Sequence, residues 1–370
     1  MYRPLIISCV IFFFFNSNLI AMKKKPPYHH VYENGKFIKF RNFEGAPQRN
    51  KNFKWSYKKF NEAKKKINVI VPKDFVVPRE IVLKNLEKHK NDNFILWLNH
   101  ASFIIKLGST TIITDLITAP NAGPLFLGPK RYTPPALELN QLPKIDLWLN
   151  SHLHFDHLSM SDVRNFPYKS AKVLVPLNNG SYFKKNNFKN VKELDWFEAV
   201  KINDELTVTL MPSQHWNKRS VLPFGPGATD KALWGSFLIN YKGKKLFFSC
   251  DTGYSNIYKM MSKKFGAIDI FFINSGGYNF EIITGKRDSS IFHTNPEEAL
   301  QAAKDIKAKK VIPMHYGSFL LGLEGQNSEG PINEPRNRLL KNAKNFGFDK
   351  NNIKIFNIGQ ILTLDEILND

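Results

Sequence analysis

From Asn93 onward the chain alternates short apolar runs with polar turns. Phe94–Leu98, Ser102–Leu107 and Thr110–Thr114 read as three strands, the last two joined through Gly108-Ser109. Ile145–Asn150 reads as a buried strand, and Lys172–Val175, Leu206–Met211, Gly235–Asn240, Lys245–Ser249, Ile268–Asn274 and Lys310–Met314 continue the series. Tyr241-Lys242-Gly243-Lys244 is a hairpin turn between two of them. One helix starts at Thr294-Asn295-Pro296-Glu297-Glu298, where a capping residue, a proline in the first turn and two acids suit the positive helix end. It runs to about Ala308. Another covers roughly Glu334 to Phe346 and stops at Gly347. Strands outnumber helices and the helices fall late, which predicts one mixed, layered α/β domain over residues 94–370. No repeat and no linker interrupts it.

The first 93 residues have a different texture. Arg3 followed by the apolar run Leu5–Phe15 and by Asn16–Ala21 reads as a signal peptide or N-terminal anchor over residues 1–21. That run is shorter than the roughly 20 residues a membrane-spanning helix needs. Residues 22–93 form a basic, proline-punctuated, aromatic extension packed on the core, densest at Lys51-Asn52-Phe53-Lys54-Trp55-Ser56-Tyr57-Lys58-Lys59-Phe60. Aromatic rings interleaved with lysines suit an anionic membrane interface. They also suit single-stranded nucleic acid, or a solvated wrap over the core. A net charge of +21 on 370 residues points to anionic partners without choosing among them. Cys250 is the one cysteine beyond the N-terminal run, so the body of the chain holds no disulfide.

The candidate chemistry sits where the Ile145–Asn150 strand ends, in Ser151-His152-Leu153-His154-Phe155-Asp156-His157-Leu158. Three of the chain's ten histidines fall within these residues. Side chains two apart in an extended segment share a side, so His152 and His154 can grip one ion while Asp156 and His157 turn to a second. Three more metal-capable residues follow predicted strands: His215 after Leu206–Pro212, Asp251 after Leu246–Cys250, and His315 after Val311–Met314. A lone strand-end histidine is more often structural. Four strand ends that each terminate in His or Asp supply seven ligands, enough for two ions if Asp251 bridges.

The order H-x-H-x-D-H, then a strand-end His, a strand-end Asp and a last His, resembles the metallo-β-lactamase superfamily. The flanks resemble the N-acyl-phosphatidylethanolamine-hydrolysing phospholipase D family. They include Trp97-Leu98-Asn99-His100-Ala101-Ser102-Phe103, Gly128-Pro129-Lys130-Arg131-Tyr132, Gln214-His215-Trp216-Asn217-Lys218-Arg219, Leu233-Trp234-Gly235-Ser236, Asp251-Thr252-Gly253-Tyr254 and Asn295-Pro296-Glu297-Glu298-Ala299. The chain departs from that family at Asn99 and Cys250, where glycines are usual, and at Asp115-Leu116, where Asp-Pro is usual.

The resemblance implies a four-layer αββα sandwich, with two mixed sheets and helices outside. It implies two Zn²⁺ per chain, one on His152, His154, His215 and Asp251, the other on Asp156, His157, His315 and Asp251; Fe or Mn would also suit these donors. Two ions ~3.5–4 Å apart lower the pKa of a bridging water and clamp the attacked group. Asp156 would orient the resulting hydroxide, Asp251 would bridge the ions, and His293, just before a helix, would donate to a substrate phosphate. Asp115, His100 and Gln214 are candidates to orient ligating imidazoles. Lys130, Arg131, Lys218 and Arg219 are candidates for anionic headgroups.

The expected activity is hydrolysis of N-acyl-phosphatidylethanolamine to an N-acylethanolamine and phosphatidic acid. The expected setting is an anionic membrane surface reached by export or membrane association, with no nucleic-acid partner and with homodimerisation open. A lactonase or other ester hydrolase on the same fold is the competing enzyme, and a non-catalytic lipid-binding protein the competing non-enzyme.

Overall fold

The computed structural model describes residues 32–33, 36–37, 43–46, 56–124, 127–219, 231–280, 292–326 and 329–369. The expected targeting segment 1–21 and the first half of the Lys51–Phe60 stretch, residues 51–55, lie outside them. Among the described residues no helix is long and apolar enough to cross a membrane.

Two sheets form the body. After a two-residue ladder of β1 (Tyr32–Glu33) with β2 (Lys36–Phe37), the first sheet collects β3 (Phe94–Asn99), β4 (Ser102–Leu107), β5 (Thr110–Thr114), β6 (Leu147–Leu149), β7 (Lys172–Pro176) and β8 (Val191–Leu194). The second collects β9 (Ala199–Lys201), β10 (Leu206–Met211), β11 (Ser236–Tyr241), β12 (Lys244–Phe248), β13 (Ile268–Asn274) and β14 (Ala308–Met314). Late in the chain β15 (Ile361–Thr363) returns to the edge of the first sheet beside β3. The orders are β15-β3-β4-β5-β6-β7-β8 and β14-β13-β12-β11-β10-β9. Each sheet is antiparallel in one half and parallel in the other: β5 through β8 pair in parallel, as do β12, β13 and β14.

The central strands are apolar on both faces because both faces are covered. All six residues of β3 and all five of β5 are buried. The inner faces meet at Phe103 of β4 and Phe272 of β13, whose rings pack edge to face at 4.9 Å. On the outside of the first sheet, Trp148 of β6 packs against Phe166, Phe183 and Phe188 at 4.6–5.8 Å. These rings pin the helices Met160–Asn165 and Ser181–Lys184, so Trp148→Ala would cost about 3–5 kcal/mol. Outside the second sheet, Tyr258 of the helix Ile257–Phe265 lies against Phe271 of β13. The helix Pro296–Asp305, capped by Asn295 as the sequence predicts, and the helix Gly330–Asn342 complete that layer. This is an αββα sandwich.

Helices are not confined to the later part of the chain, contrary to expectation. Tyr57–Lys64 and Arg79–Lys88 precede the first sheet. Each buries little and shows mostly lysines and other polar groups, so neither has a strong apolar period to read. The segment after the first of them is fastened to the core by Phe75 against Trp97, ring centroids 5.9 Å apart, and by Val77 N–H donating to Ile358 O at 2.8 Å.

Candidate metal centre

Antiparallel and parallel pairings together make β3, β5 and β6 run the same way in the first sheet, and β10, β12, β13 and β14 in the second. The seven candidate ligands all follow the carboxyl ends of these strands. The backbone turns sharply there: His100, Asp115, Cys250 and His315 have φ of +46°, +30°, +58° and +69°. Side-chain-bearing residues reach this region at a cost of order 1 kcal/mol or more each, and four of them meet at one place. Cys250 stands where the resembled family usually has glycine, the residue that meets such a φ most easily. The sheets are tied at this point, since His315 N–H of the second donates to His100 O of the first at 3.1 Å.

The loop after β6 is held by side chains from elsewhere. Asp115 accepts from Ser151 N–H (2.7 Å), Ser151 Oγ (2.5 Å), Asn150 Nδ2 (3.2 Å) and His157 Nδ1 (2.8 Å). Asn217 Oδ1 accepts from Leu153 N–H at 3.0 Å, and Arg219 Nη1 donates to the carbonyls of Leu153 (2.9 Å) and Leu158 (2.6 Å). Arg219 therefore spans both ends of the histidine loop, with its guanidinium 4.3 Å over the Phe155 ring. Arg131 is likewise turned inward, donating to the carbonyls of Ala119 (3.0 Å) and Ile117 (2.9 Å). Both arginines hold loops. Gln214 turns its carboxamide oxygen to Phe43 N–H, 2.7 Å away.

Two groups of donor atoms result. In the first, His154 Nδ1 lies 2.9 Å from His152 Nε2 and 3.1 Å from His215 Nε2, with Asp251 Oδ2 3.8 and 3.7 Å from those two nitrogens. In the second, Asp156 Oδ2 lies 3.0, 3.3 and 3.2 Å from Nε2 of His100, His157 and His315. Asp251 reaches this group too: Oδ2 is 3.0 Å from His157 Nε2 and Oδ1 is 3.0 Å from His315 Nε2. His152, His154, Asp156, His157, His215, Asp251 and His315 are thus brought together, with Asp251 between the groups. His100, a sequence candidate for orienting ligating groups, joins the second group through Asp156. His293 sits beside His215 and His315, ring centroids 5.3 and 5.0 Å away.

The tautomers test whether cations fit here. A neutral imidazole carries one N–H. His157 Nδ1 faces the Asp115 carboxylate and His215 Nδ1 faces the Phe292 carbonyl at 3.1 Å, so both protons sit outward. Ser151 Oγ spends its own proton on Asp115 and so accepts from His152 Nδ1, 2.9 Å away. Cys250 Sγ lies 3.4 Å from the same nitrogen. Three rings therefore aim bare Nε2 lone pairs inward, two of them at His154 Nδ1 or Asp251, and that of His157 at two carboxylates. One N–H on His154 Nδ1 cannot serve both His152 and His215, and an Nε2 lone pair of His157 against two buried carboxylates repels unless a cation or a further proton lies between them; outward-fixed N–H groups are how ligating histidines are oriented.

Charge tells the same story. Burial pulls His157 and His315 down, yet Asp251 and Asp156 outweigh it. They hold His157 well above the usual imidazole range and push His315 up to about 9. Burial also opposes ionisation of Asp156 and Asp251, but His157 leads the groups that keep both well below the ordinary carboxylate range. Burial dominates elsewhere, lowering His154 and His293 to about 4 and leaving them neutral.

The groups open into a cavity of ≈ 380 Å³ lined by Ala122, His154, Phe155, Asp156, Trp216, Lys218, Asp251, Gly277, Phe280, His293 and Leu321. Gly276 packs against the His315 turn: a Cβ there would fall 2.0 Å from His315 O. Phe60, from the early helix, stacks on Phe280 at 6.2 Å, so that helix helps build the cavity wall.

Known proteins agree with this picture. Residues 118–316 match the family described as "Beta-lactamase superfamily domain". N-acyl-phosphatidylethanolamine-hydrolyzing phospholipase D 1 of Caenorhabditis elegans is 29% identical over 241 residues, which cover 62% of this chain and 65% of that protein. The mitochondrial enzyme of the same description from Saccharomyces cerevisiae is 32% identical over 235 residues, 62% of this chain and 48% of its own length. These matches span less than two thirds of the relatives. Among solved structures, a possible metal-dependent hydrolase from Veillonella parvula superposes with a TM-score of 0.57 at 14% identity, over 74% of this chain and 100% of that one. An isothiocyanate hydrolase from Delia radicum gut bacteria gives 0.56 at 15% identity, over 73% and 99%. The chain belongs to the metallo-β-lactamase superfamily, as a metal-dependent hydrolase resembling N-acyl-phosphatidylethanolamine-hydrolysing phospholipase D.

Proposed function

We propose that this hydrolase is a two-zinc phosphodiesterase of phospholipase D type, acting on N-acyl-phosphatidylethanolamine at a membrane face. The observation that carries the reading is the cavity. One space holds Asp156, Asp251, His154 and His293 beside Phe155, Trp216, Phe280 and Leu321, with Lys218 in the same lining. A phosphodiester needs the first set and a cation, and an acyl chain needs the second.

His152, His154, His215 and Asp251 would hold one ion, and Asp156, His157, His315 and Asp251 the other. Imidazole and carboxylate donors without thiolate suit Zn²⁺, and also admit Fe or Mn. Divalent ions bound there would supply the Lewis acidity that activates water and draws charge from a phosphoryl oxygen. Asp156 belongs to the second group and also lines the cavity, so it is placed to accept a hydrogen bond from the attacking water and aim it at phosphorus. Asp251, between the groups, fixes their spacing. His293, neutral and at the cavity wall, donates to a phosphate oxygen. Water adds at phosphorus, the bond to the N-acylethanolamine oxygen breaks, and that oxygen leaves protonated while phosphatidic acid remains.

The membrane setting has its own support. Lys58, Lys59, Lys65, Lys66 and Lys73 are exposed, and between them Val69, Ile70 and Val71 are 37%, 42% and 41% exposed. Apolar side chains flanked by lysines suit an anionic bilayer surface. The segment 1–21 would bring the chain there by export or anchoring.

Purified protein incubated with N-acyl-phosphatidylethanolamine vesicles, and separately with lactones, tests the reading. Phosphatidic acid that vanishes in His152→Ala and Asp251→Ala is expected. Lactone turnover with untouched phospholipid would replace the phosphodiesterase reading by a lactonase.

A further inference from the structure

The turn Asn99-His100-Ala101 between β3 and β4 carries a histidine at φ +46°, fully buried. Asn or Gly would meet that backbone at less cost. A side chain kept in a strained position is worth asking about when it also touches functional groups. His100 does: its ring lies 4.1 Å from that of His315 and 5.3 Å from that of His157, and its Nε2 is 3.0 Å from Asp156 Oδ2.

The other ring nitrogen decides its role. Nδ1 of His100 is buried and has no hydrogen-bond partner among the described residues. A proton on Nδ1 would bury an N–H with no acceptor and turn the Nε2 lone pair against a carboxylate oxygen. A proton on Nε2 makes a hydrogen bond to Asp156 and leaves only an unused lone pair behind, the cheaper arrangement. The three rings whose protons face outward, His152, His157 and His215, show the opposite pattern, with partners on Nδ1 and Nε2 bare. His100 therefore differs in kind from the ligand set it accompanies.

We propose that His100 is a positioning residue that donates Nε2–H to Asp156 Oδ2 and thereby sets the carboxylate for the second ion and for the cavity. The inference rests on the two-ion reading above. Because Asp156 belongs to the second group, not the first, and also lines the cavity, a carboxylate free to rotate would weaken the second site and leave the first untouched.

Full-length His100→Gln and His100→Asn test this against wild type, each loaded with zinc. Gln keeps an N–H donor at comparable reach. Asn suits the left-handed turn but is too short to reach Asp156, so loss of folding is not built into the comparison. Zinc content by elemental analysis and stepwise affinity against a chromophoric chelator are measured, with thermal unfolding of the metal-free proteins alongside. Two ions per chain are expected in all three proteins, with the second bound about 10–100-fold more weakly in His100→Asn and largely restored in His100→Gln. One ion per chain in both variants, against two in wild type, would make His100 a ligand and overturn the proposal. Equal second-ion affinity in all three, or equal weakening in Gln and Asn, would reduce it to a structural residue. Fewer than two ions in wild type would instead overturn the two-ion reading and this inference with it.

Discussion

In the first group of donors, His152 and His215 are oriented by neutral partners, Ser151 Oγ and the Phe292 carbonyl. In the second, His157 is oriented by the Asp115 carboxylate and faces Asp156 and Asp251. One carboxylate serves the first group and three stand in or behind the second. Both groups reach the cavity, the first through His154 and the second through Asp156, and their remaining histidines are at most 1% exposed. Two sites joined by one aspartate thus differ in charge, which predicts a labile ion on His152, His154 and His215 and a firmly held one on Asp156, His157 and His315.

The largest effect should come from the residue common to both. Asp251→Ala should lose both ions and drop hydrolysis to background. The stabilisation that saturating zinc confers, roughly 4 kcal/mol per site at about 1,000 times its Kd, should vanish from thermal unfolding. Retention of one tightly bound ion would mean that Asp251 serves one group only. Asp115→Asn keeps the shape but removes the charge behind His157. The second ion should bind about 10–100-fold more weakly, and the first should weaken less, because Asp115 reaches it only through Ser151; equal weakening of both by chelator competition would erase the distinction. In wild type, graded chelation should strip the ions in two steps, the first releasing the ion on His152, His154 and His215. A cobalt-loaded protein would show this as two separate losses of visible absorption, and a single concerted loss would count against the asymmetry.

Smaller effects probe the supports. Arg219→Ala leaves the carbonyls of Leu153 and Leu158 without their common donor and should cost about 1–3 kcal/mol in unfolding free energy. An unchanged Tm would show that the clamp is dispensable. Cys250→Ala removes a sulfur 3.4 Å from His152 Nδ1 but no inward-facing donor. It should keep both ions and lose about 1 kcal/mol; loss of an ion would make the thiol a ligand.

Much of this architecture is legible in the chain. Strands buried on both faces read as continuous apolar runs, so Phe94–Leu98, Ser102–Leu107 and Ile268–Asn274 are visible to within a residue. The edge strands Val191–Leu194, Ala199–Lys201 and Ile361–Thr363 are not, being short and partly exposed. The early helices are hidden by their lysines. At the centre, the histidine loop and the three later strand ends are readable because polar, metal-capable residues there interrupt apolar runs. The outer partners are less so. The Phe292 carbonyl that sets His215 leaves no trace in residue type, and Ser151 looks like any small loop residue. Arg131 and Arg219 look like surface charge in sequence but satisfy loop carbonyls inside. His100 is visible as a candidate to orient a ligand, but its approach to Asp156 depends on β3 and β6 lying in one sheet, three strands apart.

The shared aspartate can be tested directly by anomalous scattering from crystals of the zinc-loaded protein. Two peaks about 3.5–4 Å apart, with the Asp251 carboxylate between them, are the expected result. A single peak, or two with Asp251 touching only one, would contradict the two-ion centre.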